Sequence, residues 1–232
     1  LLIAAGLAST GHAAAKDPVV ARVLDRDIRL AEAEDLNSAI FSTLLDKYAT
    51  EHGVTATPDE IDVYIARARE RRNQRHIQDV AERDAVLAQI EAGGLSDEAR
   101  KSLEEKLAMY DLFLRTDRQM DEYEAAHPVE SRKSGEDLAA TTIKAWKLNQ
   151  VLFKKYGGRV IFQQAGPEPL DAYREFLREA EREGSFKISD PAHAASFWNY
   201  FTNDMIHTFL PADDAARVVE TPWWMMDRPL GE

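Results

Sequence analysis

Six histidines give this chain its first chance at metal chemistry, since an imidazole beside a carboxylate is a natural ligand pair for a divalent cation. Asp190-x-x-His193 and Asp204-x-x-His207 each put such a pair on one face of a helix. About 21 Å of continuous helix would separate the two histidines, so one ion cannot draw on both pairs. Glu124-x-x-His127 is half of a two-helix carboxylate site, and Pro128 puts it at a helix end, where His127 serves more simply as a C-terminal donor. No His-Glu-x-x-His occurs, and the chain has no cysteine, which excludes a thiolate zinc site, a disulfide framework and a cysteine nucleophile. Gly-x-Ser-x-Gly, Ser-x-x-Lys and phosphate-loop glycine spacings are missing too. No catalytic residue, metal ligand or cofactor is therefore assigned from sequence.

Binding chemistry has more to work with. The run Arg67 to Arg75 reads either as a solvated helix face, interrupted by Glu70, or as a contact for an anionic partner. Gly157-Gly158 through Pro169 reads as a helix stop, a short strand and a turn, or as a shaped loop offering Arg159, Gln163, Gln164 and Glu168 to a ligand. Phe197 to Phe201 has the aromatic density of a helix core. Trp223-Trp224-Met225-Met226 is contiguous, so its side chains cannot all face one way. It is either an adaptable apolar binding surface or a staple folded back onto the N-terminal helices.

The elements that position these residues follow from composition and period. The chain has 232 residues, 44% apolar and 30% charged, with a net charge of −12. That is one globular domain or two small ones, with an acidity that argues against a nucleic-acid partner. Leu1 to Ala15 has the apolar run and Ala-x-Ala ending of a secretory signal, which predicts export to the periplasm. No later run is long enough to insert in a membrane. Pro18 to Leu30 reads as a hairpin. From Ala31, Leu36, Ile40, Leu44 and Tyr48 recur every four residues until Gly53, the stripe of a buried helix. Thr57-Pro58-Asp59-Glu60 is a capping box that opens a long charged helix, with a break plausible in its polar run 69–75. Gly93-Gly94 ends it, and Ser96 caps a second helix carrying Leu103, Leu107, Tyr110 and Leu114, so the two form an antiparallel hairpin. Ser131 to Gly135 reads as a polar linker. Helices follow over about 136–156, carrying Leu138, Thr142, Trp146 and Phe153, then from Leu170 to Gly184 and over 191–209. The expected fold is mainly α, a multi-helix assembly with a small N-terminal β-hairpin and a short strand near 159–164. Its divisions are a signal remnant at 1–15, an N-terminal module over 16–130 and a helical region over 136–232.

Two segments carry a family resemblance. Val20-Ala21-Arg22-Val23-Leu24-Asp25-Arg26-Asp27-Ile28 resembles the opening strand pair of the SurA-type chaperones and parvulin-type prolyl isomerases. Ala39 to Ala49, followed by Glu51-His52-Gly53-Val54-Thr55-Ala56-Thr57-Pro58-Asp59-Glu60-Ile61-Asp62, is similar to the same family's junction between a leucine-rich helix and a capped helix. The likeness covers residues 18 to about 72. Leu24-Asp25-Arg26 replaces the family's Asn-Gly, so a longer or different turn is expected. Arg75-His76-Ile77 superficially matches the opening of a parvulin domain, but charged helix follows instead of strand and glycine loop.

The resemblance implies a non-catalytic chaperone-like module that binds extended apolar segments of unfolded or envelope-bound polypeptides. Ile40, Phe41, Leu44 and Tyr48 are the expected peptide-binding groove, with Trp223 and Trp224 as its lid. Two alternatives stand beside it: a parvulin-type peptidyl-prolyl isomerase, and an envelope scaffold with one fixed partner. The charged helical hairpin also permits a homodimer by exchange of elements.

Overall fold

The computed structural model describes residues 17–163 and 166–226, so the signal segment expected at 1–15 lies outside the described residues. Among them the protein is mainly helical, with seven α-helices, a small N-terminal hairpin and three further short strands. No helix there is long and apolar enough to cross a membrane. The chain forms two compact units, one joining the residues up to Gly53 with Leu152–Ala212, the other joining Val54–Val151 with the residues from Asp213 onward.

The first unit is built on a three-stranded antiparallel sheet. β1 (Val19–Val23) pairs with β2 (Arg26–Arg29) on one side and with β5 (Phe186–Ile188) on the other. Val23 pairs with Arg26, so the loop is the two residues Leu24 and Asp25: of the longer or different turn expected, it is different in sequence and not longer. Leu24 takes a positive φ of 51°, uncommon for a branched residue. Its N–H donates to Ser185 O at 2.7 Å, which ties the turn to the residue before β5. Onto the sheet pack α1 (Leu36–Glu51), α5 (Leu170–Arg182) and α6 (Pro191–Thr202). Leu170, Tyr173, Phe176, Leu177 and Ala180 form one stripe of α5 and are all buried. Phe186, Phe197 and Phe201 fill the centre of this core.

A hairpin of β3 (Ile161–Gln163) and β4 (Gly166–Glu168) precedes α5, so the expected turn at 165–169 is partly strand. Gly158 must be glycine here. Its φ is 96°, and a Cβ would fall 2.4 Å from Asp171 Cβ. That close approach lets the Arg159 N–H donate to Asp171 Oδ2 at 2.9 Å, while the Arg159 guanidinium bridges Asp171 and Asp204 and lies 4.1 Å over the Phe209 ring. Burial pushes the Asp171 carboxyl up, but the hydrogen bonds from Arg159 outweigh it and leave its pKa lowered.

The second unit is dominated by α2 (Pro58–Ala92) and α3 (Asp97–Ala126), packed as the expected antiparallel hairpin. α4 (Pro128–Tyr156) gives this unit its residues up to Val151, and α7 (Ala212–Glu220) precedes a short 3-10 turn, Trp223–Met225. Its apolar centre joins Ala139, Ile143, Trp146, Trp223 and Trp224 to Ile61, Tyr64 and Ile65.

Three expectations change here. α2 runs unbroken through 69–75, because acidic groups on α3 take up Arg72, His76 and Arg83 and make a helical course favourable for the polar run. The linker expected at 131–135 is the second turn of α4, which starts at Pro128, where a missing N–H costs nothing. The Arg132–Glu136 pair at 2.7 Å supports it, so no domain boundary falls there. The buried face of α4 is Ala139, Ile143 and Leu148, while Leu138 is exposed. The last expected helix, 191–209, stops at Thr202, where Asn203 caps a 3-10 turn by accepting the Met205 N–H at 3.1 Å.

Candidate functional site

The residues expected to line a groove are core. Ile40 and Leu44 are buried, because α5 and α6 supply apolar partners for that face of α1. Phe41 is half-buried, edge-on to Tyr173 at 4.6 Å and tilted against Phe201 at 5.9 Å. Tyr48, also half-buried, packs on Phe176 at 5.5 Å and stacks on His52 at 3.9 Å. Ile40 is closed off by this packing, whereas Leu44 and Tyr48 also line a cavity of about 200 Å³ together with Tyr156, Phe176 and Glu179.

The expected lid is a staple of the second unit. Trp224 is buried, edge-on to Tyr64 of α2 at 5.3 Å and to Trp146 of α4 at 5.8 Å. Trp223 is half-buried, packed on Trp224 at 5.8 Å. The Trp146 indole N–H donates to Val218 O at 3.3 Å, which ties α7 to α4, and Arg71 donates to Met226 O, which ties the end of the turn to α2.

The hairpin of α2 and α3 offers a different surface. Its start is fixed locally: Thr57 Oγ1 accepts the Glu60 N–H at 3.3 Å, and Glu60 Oε2 accepts the Thr57 N–H at 2.7 Å. The Lys147 ammonium, 2.6 Å from the same carboxylate, is the main cause of its lowered pKa. Along the seam, Arg72 reaches Asp121 at 2.7 Å and Glu124 at 3.1 Å, His76 meets Asp117 at 3.1 Å, and Arg83 meets Asp111 at 2.7 Å. Tyr110 is buried on this seam with its hydroxyl donating to Glu82, which lowers the Glu82 pKa and raises that of the tyrosine.

α3 carries a second apolar stripe away from that seam. Leu103, Leu107, Tyr110 and Leu114 lie on its buried or half-buried side. Met109, Leu112 and Phe113, and after a gap of two turns that holds Thr116, Met120 and Tyr123, lie on another face, and all are exposed, from 41% at Met109 to 52% at Tyr123. The stripe extends for about 21 Å. Sequence reasoning missed it although both stripes were there to be read. The regular period of Leu103, Leu107, Tyr110 and Leu114 dominates the apolar signal of the helix and masks the second stripe.

The metal-type motifs serve other ends. Asp190 caps α6, accepting the His193 N–H at 2.9 Å and lying 2.7 Å from the ring nitrogen. His127 closes α3 by donating its N–H to Tyr123 O at 2.9 Å, and Glu124 is occupied with Arg72. His207 sits 2.7 Å from Tyr200 O. Among the described residues no three His, Asp or Glu side chains gather as a metal site. In the segment that runs from Gly158 to Pro169, burial raises the pKa of Glu168, only partly offset by a hydrogen bond from Tyr200 and by the charge of His207.

In comparisons with known proteins, no family model, no curated protein and no solved structure matches this chain.

Proposed function

We propose that this protein is a non-catalytic, chaperone-like protein of the periplasm that captures extended apolar segments of unfolded or envelope-bound polypeptides. The observation that carries the reading is the exposed stripe Met109, Leu112, Phe113, Met120 and Tyr123 on a two-helix arm. Monomeric proteins seldom expose several large apolar side chains along one helix face without a binding use. Thioether and aromatic side chains adapt to varied apolar sequences, and burial of apolar surface makes little directional demand on the client. Periplasmic residence rests on the pattern of Leu1 to Ala15, and the resemblance of residues 18–72 to the SurA-type chaperones points the same way.

The test is light scattering of an unfolded outer-membrane protein diluted from urea, with and without this chain. The wild type is expected to suppress aggregation, and a Phe113→Ser, Met120→Ser double variant to lose most of that suppression while keeping its circular dichroism and unfolding midpoint. Equal suppression by the double variant, or none by the wild type, overturns the reading.

A further inference from the structure

A cavity of about 420 Å³ lies in the second unit, where α2 and the end of α3 meet the Trp223–Met225 turn. Tyr64, Trp223 and Trp224 give it aromatic walls, and Arg71 and Arg75 bring guanidinium groups to it from successive turns of α2. We propose that this cavity binds an aromatic carboxylate, a ring-bearing organic monoanion whose carboxylate is held by Arg71 and Arg75 and whose ring lies against Trp223. The proposal does not depend on the apolar stripe of α3, which shares no residue with the cavity.

The charge pattern carries the argument. In a chain of net charge −12, Arg67, Arg72 and Arg83 of this helix have carboxylate partners, Glu70 at 2.6 Å, Asp121 at 2.7 Å and Asp111 at 2.7 Å, while Arg69, which has none among the described residues, does not line the cavity. Among the described residues Arg71 and Arg75 have none. Arg71 donates to the backbone oxygen of Met226, and Arg75 makes no bond. Like charges four residues apart disfavour a helix, so this pairing is a local cost that an anion between the two groups removes. The one carboxylate on the cavity wall, Asp117, is already matched to His76 at 3.1 Å.

The class of anion follows from the remaining surfaces. A guanidinium is a planar fork matched to a planar carboxylate, and Asp117 penalises a dianion such as phosphate more than a monoanion. Indole and phenol faces gain most from a flat ring, and the cavity is of a size that encloses a small ring-bearing molecule. Two sources share this chemistry: a free aromatic acid, and the last residue of a polypeptide that ends in an aromatic side chain.

Calorimetric titration of the full chain tests the proposal, with N-acetylphenylalanine, its amide, acetate and inorganic phosphate as probes. The acid is expected to bind saturably and the amide at least about tenfold more weakly, the usual consequence of losing a charge-assisted hydrogen bond. Arg75→Gln, at an exposed position, should weaken the acid about tenfold without moving the unfolding midpoint or the binding of the amide. A pentapeptide ending in Phe with a free carboxylate, compared with N-acetylphenylalanine, identifies the source by which binds more tightly. Equal binding of acid and amide, unchanged affinity in Arg75→Gln, tighter binding of phosphate than of the acid, or no binding at all overturns the assignment.

Discussion

Phe197 and Phe113 are both helical phenylalanines set among other apolar residues, yet one is 1% exposed and the other 44%. Phe197 sits on α6 in the sheet-based unit, where Phe186, Trp198 and Phe201 surround its ring at 5.3 to 5.7 Å. Phe113 sits on α3, whose other face is already satisfied by α2. A helical apolar stripe states that a surface wants covering and does not state that the same chain covers it. In the first unit every strong stripe finds a partner. In the second, α3 carries one stripe more than its neighbours cover.

The largest effect that follows comes from removing the two rings in turn. Phe197→Ala should cost about 3–5 kcal/mol in urea denaturation, the usual range for emptying a packed aromatic site. Phe113→Ala should stay within about 0.5 kcal/mol of wild type, as surface substitutions do. A comparable loss at Phe113 would show that its face is covered in solution and would break the contrast between the units.

A smaller effect sharpens the account of how the arm begins. Thr57→Ala removes the hydroxyl that accepts the Glu60 N–H and should cost about 1 kcal/mol. Hydrogen exchange should place the loss in the first turn of α2, with the amides of α5 unchanged.

The smallest effect concerns Glu168 in the first unit. Its pKa is raised in the folded state by burial, so its contribution to stability is fully present below the unfolded value and is lost as the pH rises through the folded one. The wild type should therefore lose a little stability between acid and neutral pH. Glu168→Gln should flatten that part of the profile, and identical profiles would exclude Glu168 as its source.

How much of this was legible in the sequence depends on the range of the interaction. The hairpin of β1 and β2, the capping box at Thr57, the stops at Gly53, Gly93 and Gly157, and the pairing of α2 with α3 were all read from neighbours in the chain. β5 was not, since three residues, Phe186 to Ile188, form a strand only because the edge of β1 is there to receive them. α7, nine residues long, was not read either, and its Val218 and Val219 are buried only once the chain has folded back. The candidate site suffered most, because Ile40 and Leu44 look the same in sequence whether α5 covers them or a client does.

By itself the sequence determined the capped starts of α2 and α3, the stops at Gly53, Gly93 and Gly157, the acidic balance and the period of the apolar stripes. These depend on caps, periods and charges within a few residues, where the physical chemistry is complete without a partner. Only the tertiary structure decided which stripe each helix buries, that Trp224 is a staple against Tyr64 and Trp146, and that, among the described residues, Arg71 and Arg75 stand without carboxylates beside aromatic walls. Burial and charge compensation are properties of surfaces brought together from distant parts of the chain. They acquire a value only when the fold has chosen the neighbours.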